Sequence, residues 1–367
     1  MGTADPARRF STVLVAGLGK VGELVARLLS TSGFQVTGAD PAAEPARFGF
    51  PVIPLDAADA TALKGALAET EAVVSCLPYQ CNGRVAEAAA GAGVHYFDLT
   101  EDVPTTRRIV ELAGDAPAAL VPQCGLAPGL ICITGAWLAG RFDRLQSLEL
   151  KVGALPRNPS GLLGYAFNWS AEGVVNEYLN DCEVIREGRR SFVPSMIEIE
   201  SVWIGGVRLE AFTTSGGLGT MCTSFEGKVE RLDYKTLRYP GHCQLMRFFF
   251  DELRLRQDRA LAGSILVRAK PPVDDDIVYL YAAAEGERSG VVVREQVVRA
   301  YEPMVIDGRR WRAISRTTAA SATAVVEMVA SGALAGRGLV RQEDIDYDSF
   351  AATPTGRMLA GTGQVAG

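Results

Sequence analysis

Two textures of apolar and polar positions divide the chain. Up to about residue 125, short apolar runs (STVLVAG, FQVTGAD, PVIPLD, AVVSCLP, HYFDL and AALVPQ) alternate with segments whose apolar positions recur every three or four residues. The runs predict buried strands, and the longer period predicts amphipathic helices ending near Gly33 and covering 59–69, 80–92 and part of 104–113. Strands that alternate with helices and are apolar on both faces predict a doubly wound parallel sheet. After an apolar helix over 129–140 the segments lengthen. LQSLELKVGAL, MIEIESVWIGGVRLEAFTTSGG, TSFEGKVERLDYKTLRY, ILVRAKPP, DIVYLYAAAEG and GVVVREQVVRAYEP alternate with a partial period of two, which predicts a mixed or antiparallel sheet. Helices near 172–179 and 243–254 interrupt it. A last helix, TAASATAVVEMVASGAL, is apolar on more than one face and is expected to return to the first sheet for cover. The final TGRMLAGTGQVAG reads as a loose tail.

The resulting expectation is an α/β chain of two domains. An N-terminal Rossmann-type parallel sheet covers 1–125 and is completed by about 317–350, while 126–316 form a C-terminal α+β domain for substrate binding and dimerisation. A length of 367 residues suits two domains, each large enough to bury a core. The formal charge of -6 and pI near 5.3 provide no basic stripe, which speaks against nucleic-acid or anionic-membrane partners and for a small-molecule one. Seven cysteines form neither a CxxC pair nor a zinc spacing, so no metal site is expected. With no secretory signal pattern at the start, they read as reduced cytoplasmic thiols. The apolar stretch Leu126–Gly140 is broken by Pro128 and is too short to span a bilayer. A homodimer or higher homo-oligomer is expected on general grounds.

Gly17, Gly19 and Gly22 stand as GxGxxG between the first strand and the first helix, with Lys20 and Val21 inside the motif. Such glycines permit a tight turn, close approach of a pyrophosphate and close packing of helix on strand. Asp40 ends the second strand 18 residues after Gly22. A carboxylate there accepts from a ribose 2′-OH and repels a 2′-phosphate, so NAD is expected in preference to NADP. The other reading of Asp40 is a turn residue before Pro41. Asp56 either meets the adenine or caps the next helix. Leu77 and Pro78 end the fourth strand at the carboxyl edge of the sheet, where ligands collect. Asp98 and Thr100 reach the same edge as site residues or as strand-end caps. Cys124, Gly125 and Leu126 open the turn PQCGLAPGL, whose Gly125 and Gly129 let backbone approach a nicotinamide and whose Pro128 starts a helix.

The segments GLGKVG, SCLPYQCNGRVAEAAAGAGVHYFDLTED, PQCGLAPGL, VGALPRNPSGLLGYAFNWSAEGVVNEYLNDCEVIREG, EAFTTSGGLGT and KTLRYPGHCQLM run in order from about residue 13 to 245. Together they resemble the saccharopine dehydrogenase-like family, and within it the lysine 6-dehydrogenase group. The resemblance implies an NAD-dependent enzyme acting at an amine carbon of an amino acid. In the lysine 6-dehydrogenase group the side-chain amine of L-lysine is oxidised, giving ammonia and a semialdehyde that closes to a cyclic imine. Other members join an amine to a keto acid or aldehyde reductively, as in saccharopine or carboxynorspermidine formation. A nucleotide-binding sensor without catalysis is the reading from another class.

Hydride loss from an amine carbon needs a neutral nitrogen, so a proton acceptor is required besides anchors for the amino-acid end. His242 is either that acceptor or a helix cap, and His95 looks structural. Glu172 and Tyr239 complete the catalytic candidates, Glu172 alternatively favouring the first turn of its helix. Asn168, Asn176, Thr214, Ser215 and Arg238 are candidate substrate contacts. Asn176 stands four residues from Glu172 on one helix face, Arg238 suits a carboxylate, and TTSGG offers hydroxyl and N–H donors. Lys235 reads as a surface lysine, and Cys124 as a packed thiol.

Overall fold

In a computed structural model, residues 8–42 and 44–360 are described, and they divide into two units, one running to Leu130 and resuming at Ser315, the other Ile131–Ile314. The first unit is built on apolar strands such as Val13–Ala16 and Ala72–Val74, each of these residues at most 2 % exposed. Its seven strands lie in the order Gly338–Leu339, Ala119–Val121, His95–Asp98, Ala72–Ser75, Thr12–Ala16, Gln35–Ala39 and Val52–Ile53. Every pairing among them is parallel. The order reverses between Thr12–Ala16 and Ala72–Ser75, which opens a crevice at their carboxyl ends.

Helix Gly22–Thr31 seals one side with Leu24, Val25 and Leu29, none of them exposed, each burial contributing about 1.5–3 kcal/mol. Asp59 and Asp102 cap the helices Ala60–Ala68 and Val103–Ala113 by accepting from Thr61 and Thr105 N–H groups. The late helix Ala313–Ser331 returns to this unit as its apolar pattern requires: Arg9 N–H donates to Ala330 O at 2.7 Å and Ser32 Oγ donates to Glu327 at 2.5 Å. The segment after it is not wholly a tail. Thr355 donates through N–H and Oγ1 to the same Glu327 carboxylate, and Leu359, in helix Arg357–Ala360, is 1 % exposed. The rest of that segment, 361–367, lies outside the described residues.

The second unit centres on strands in the order Glu200–Ile204, Val207–Thr213, Val229–Arg238, Arg144–Pro156, Asp276–Arg288 and Val291–Tyr301, with Cys182–Arg186 and Arg189–Val193 branching from the third. Only Val229–Arg238 with Arg144–Pro156 is parallel. Leu155, Phe212, Leu237 and Tyr279 of the sheet pack with Val174, Val175 and Tyr178 of helix Ala171–Leu179 in one core. ILVRAKPP, read above as a strand, instead begins inside helix Arg259–Ala269. Asp258 caps that helix at Leu261 N–H, and Ala262 and Leu266, four apart, turn inward; the cap and the spacing outweigh the β-branched composition. Among the described residues, no helix is long and apolar enough to cross a membrane, and no group of three His, Cys, Asp or Glu is placed to hold a metal. All seven cysteines are free thiols.

Candidate functional site

The glycines of GxGxxG play three different parts. Gly17 has φ +89°, and a Cβ there would stand 2.8 Å from the Cys76 carbonyl oxygen; one on Gly22 would stand 1.8 Å from the Gly17 carbonyl oxygen. Neither position admits a side chain. A Cβ on Gly19 would meet nothing within 4 Å, so the middle glycine faces open space at the start of a helix, where backbone N–H groups and the helix dipole favour a pyrophosphate. Lys20 is exposed beside it, and Val21 immediately precedes the helix without a side-chain cap. A cavity of about 290 Å³ adjoins, lined by Leu18, Gly19, Asp40, Ala42, Glu44, Arg47 and Phe48. These residues fit a dinucleotide.

Asp40 accepts from Leu18 N–H and Ala42 N–H, both at 2.9 Å, so each carboxylate oxygen already holds the turn. Across the same cavity, Arg47 pairs with the buried Glu23 at 3.5 Å. Asp56 accepts from Ala58 N–H at 2.8 Å in a turn, and the residue that caps the next helix is Asp59.

At the carboxyl edge, Leu77 is half-buried and Pro78 exposed, and Pro78 directly precedes helix Tyr79–Ala92. Asp98 is fully buried and accepts from Gln123 N–H at 2.8 Å, Thr100 N–H at 3.0 Å and Tyr96 Oη at 2.8 Å. Burial pushes its carboxyl up to about 6 against the pull of those donors. Cys124 is buried, with its thiol 3.1 Å from Val121 O, and burial raises its pKa well above the usual thiol range, which keeps it protonated. Gly129, at φ +129°, lies against the chain itself: a Cβ would come 2.9 Å from Gln123 O. Gly125 likewise faces Pro128 O and Thr318. Pro128 is extended, and regular helix begins only at Ile131. The glycines of PQCGLAPGL are thus required by the turn's own backbone, with Leu126 buried beneath it.

In the second unit, Arg238 ends a central strand and is 3 % exposed. Its Nε donates to Tyr178 Oη at 2.8 Å, Nη1 donates to Leu237 O at 2.8 Å, and Nη2 lies 3.9 Å from the Glu177 carboxylate. The guanidinium carbon stands 4.7 Å from the centre of the Tyr165 ring, and Trp169 Nε1 donates to Tyr165 Oη at 3.2 Å. Tyr178 Oη is also 2.9 Å from His242 Nε2, while His242 Nδ1 is 2.9 Å from Leu163 O. Burial, with the Arg238 charge added, pushes the imidazole down to about 3.

The structure therefore joins His242 and Arg238 through Tyr178 and places the other candidates around or away from them. Ser215 N–H donates to Glu177 O at 3.0 Å, and Thr214 next to it is 2 % exposed, its hydroxyl without a partner among the described residues. Glu172 is exposed on the first turn of its helix. Asn176 accepts from Arg259 at 2.7 Å. Asn168 accepts from Val273 N–H at 2.8 Å and is 3 % exposed. Tyr239 donates to Pro156 O at 2.9 Å, and burial pushes its hydroxyl up to about 12. Lys235 is not a surface residue: at 8 % exposure it donates to Glu198 O at 2.9 Å and pairs with Glu200 at 3.2 Å. His95 accepts from Ala119 N–H at 3.0 Å inside the first unit. Sequence reasoning missed Tyr178, Tyr165 and the Leu163 carbonyl; the one local signal was that Tyr178 follows Glu177 on a helix with a buried face.

A parallel sheet with this strand order, a glycine turn open at its middle residue and a separate mixed-sheet unit define a two-unit protein of the dinucleotide-binding class. Two family models match end to end: one described as the saccharopine dehydrogenase NADP binding domain over residues 13–125, the other as the saccharopine dehydrogenase C-terminal domain over 125–363. The chain belongs to the saccharopine dehydrogenase family. It is 28% identical over 193 residues to a saccharopine dehydrogenase (NADP(+), L-glutamate-forming) of Pyricularia oryzae, a match covering 48% of this chain and 42% of that one. It is 25% identical over 223 residues to the protein so named from Schizosaccharomyces pombe, covering 54% and 48%. The matched stretches span less than half the length of these curated relatives. Apo saccharopine dehydrogenase (L-Glu forming) from Saccharomyces cerevisiae shares the fold, with a TM-score of 0.76 at 18% identity over 93% of this chain and 97% of that one.

These matches overturn the expectation of NAD. The model over 13–125 is that of an NADP-binding domain, and the curated relatives carry NADP(+) in their names. The inference from Asp40 read its carboxylate as deciding against a 2′-phosphate, whereas its oxygens serve to hold the turn through backbone N–H groups, and an arginine, Arg47, lines the same cavity.

Proposed function

We propose that this protein is an NADP-dependent dehydrogenase that moves hydride to or from the carbon of a C–N bond in an amino acid. The observation that carries the reading is the buried pair in the second unit: a guanidinium with N–H groups to spare beyond Tyr178 and Leu237, and the Glu177 carboxylate 3.9 Å from it. One cation and one anion side by side match the carboxylate and ammonium of an amino acid. The family membership supports the redox chemistry.

NADP, when bound, accepts or supplies the hydride. The open turn at Gly19 and the cavity of Leu18, Asp40, Arg47 and Phe48 hold it by its pyrophosphate and adenosine end. Arg238 binds the substrate carboxylate, and Thr214 and Ser215 supply further donors. As the C–H bond gives up hydride, the nitrogen lone pair becomes the second C–N bond, so the ammonium must first lose a proton. Glu172, exposed on the first turn of its helix, is the group this reading assigns to take that proton; Tyr239 keeps its own, donated to Pro156 O.

At the level of substrate we propose oxidative deamination of the side-chain amine of L-lysine, releasing ammonia. The second reading, cleavage or formation of a saccharopine-type C–N bond, is favoured by the names of the curated relatives. NADPH formation with L-lysine and ammonia release distinguish the first; NADPH formation with saccharopine but not with L-lysine distinguishes the second. Absence of turnover with both, in either direction, sinks the proposal.

A further inference from the structure

The buried polar groups of the second unit form a chain whose hydrogen-bond direction is fixed at both ends. Arg238 only donates, so Tyr178 Oη receives its Nε–H across 2.8 Å. The Leu163 carbonyl only accepts, so the ring nitrogen 2.9 Å from it, His242 Nδ1, carries a proton. A neutral imidazole then presents a lone pair at Nε2, 2.9 Å from Tyr178 Oη, and accepts a hydrogen bond from the tyrosine hydroxyl. A doubly protonated ring would leave Tyr178 with two donors facing it and its own proton without an acceptor among the described residues. The order is therefore Arg238 to Tyr178 to His242 to Leu163, every member satisfied once.

We propose that Tyr178 and His242 are positioning residues, which set the rotation of the Arg238 guanidinium so that its remaining N–H groups meet a substrate carboxylate. This rests on the reading of Arg238 as the carboxylate anchor. A guanidinium at the end of a strand turns about its side-chain torsions unless its edges are held. Here Nε is held by Tyr178, Nη1 by Leu237 O, and the plane stands against the Tyr165 ring at 4.7 Å. Of five N–H donors, two are consumed on that inner edge, and the others are directed by it. His242 acts one bond further back: by accepting the hydrogen bond of the tyrosine hydroxyl it turns the Tyr178 lone pair onto Arg238. Held in this way, its Nε2 lone pair is already engaged, so it is an orienting group rather than a proton acceptor in turnover. The partners lie 60, 64 and 79 residues apart in sequence, so the chain exists only in the folded unit.

The test uses the full chain loaded with NADP and calorimetric titration with L-lysine, saccharopine and cadaverine, the last being lysine without its carboxylate. Tyr178→Phe and His242→Phe are each expected to weaken the amino acid that the wild type binds about 10-fold, the worth of a charge-assisted hydrogen bond, while cadaverine and NADP affinities stay unchanged. His242→Gln, which keeps a donor and an acceptor, is expected to restore most of the loss. In an Arg238→Lys background, Tyr178→Phe is expected to add nothing, because the planar fork it orients is gone. Equal weakening of cadaverine, no weakening in folded variants, or full additivity with Arg238→Lys overturns the positioning role. If Arg238→Lys weakens the amino acid but Tyr178→Phe does not, only the positioning role falls. If Arg238→Lys has no effect, or the wild type binds neither amino acid, the anchor reading falls and the positioning role with it. Nitrogen NMR of the wild type needs no variant: the chain has two histidines, and a neutral Nδ1–H ring at His242 is expected, whereas an Nε2–H ring overturns the proposed direction.

Discussion

Each unit buries an ionisable group inside a hydrogen-bonded cluster, and burial moves the two in opposite directions. Asp98, in the parallel-sheet unit, is pushed up to about 6; His242, in the mixed-sheet unit, is pushed down to about 3. Removal from water penalises charge of either sign, so a carboxyl becomes harder to ionise and an imidazole harder to protonate. What differs is the company. Asp98 faces three donors, which suit an anion and limit its shift. His242 faces one acceptor, which alone favours a charged ring, and one hydroxyl that needs an acceptor, with a guanidinium behind it; burial and that charge outweigh the carbonyl. The first cluster can exchange a proton near neutrality and the second holds its protons in place.

The largest effect that separates the units is steric. Gly22→Val drives a side chain into the Gly17 carbonyl, where even a Cβ would stand at 1.8 Å, and is expected to abolish NADP binding and destabilise by about 3 kcal/mol or more. Calorimetric unfolding checks the stability, and His242 should keep its NMR signature in any population that remains folded. Next in size is the acid response. The His242 pKa is lower in the folded chain than in the unfolded one, so the unfolded state binds more protons below about pH 6.5; the ring's contribution falls by about 1.4 kcal/mol per pH unit toward pH 3. The Asp98 pKa is raised in the folded chain, so its penalty, about 3 kcal/mol at pH 7, is relieved as pH falls through 6 toward 4. Denaturant melts between pH 7 and 4 should therefore show Asp98→Asn losing stability more steeply than wild type on acidification and His242→Phe less steeply; matching slopes would break the comparison. Gly217→Ala brings a Cβ to 2.3 Å from the Tyr234 ring and is expected to cost about 1–3 kcal/mol by overpacking, visible as a lower melting temperature. Asn168→Ala removes the acceptor of Val273 N–H and should cost about 1 kcal/mol, measured by urea denaturation.

Features that depend on near neighbours in sequence were legible. The glycine turn, the alternating strands and helices and the buried late helix could all be read, because a tight turn and a core face leave spacings within a few residues. The Arg238–Tyr178–His242 chain left only the buried helix face that carries Tyr178, since each link spans 60 residues or more. His242 drew attention by residue type alone and Tyr178 drew none. ILVRA looked like a strand from its branched residues, whereas the Asp258 cap and the inward pair Ala262 and Leu266 made it helix. Asp40 misled for another reason: the position of a carboxylate can be read from sequence, but the N–H groups already occupying its oxygens cannot.

The first unit is assembled from two stretches of chain, with Ile131–Ile314 between them, and this nesting sets an order of birth. A ribosome delivers the whole inner unit before Gly338–Leu339, the outermost strand beside Ala119–Val121, has been made. Until then the edge of Ala119–Val121 is bare, a template for pairing with another nascent chain. We predict that a chain halted at residue 335 holds a protease-resistant inner segment beside a digestible remainder, and equal digestion of both would refute this. Nonsense and frameshift changes that remove Gly338–Leu339 would then act as damage to the nucleotide-binding unit, although they fall in the message after the whole of the inner unit.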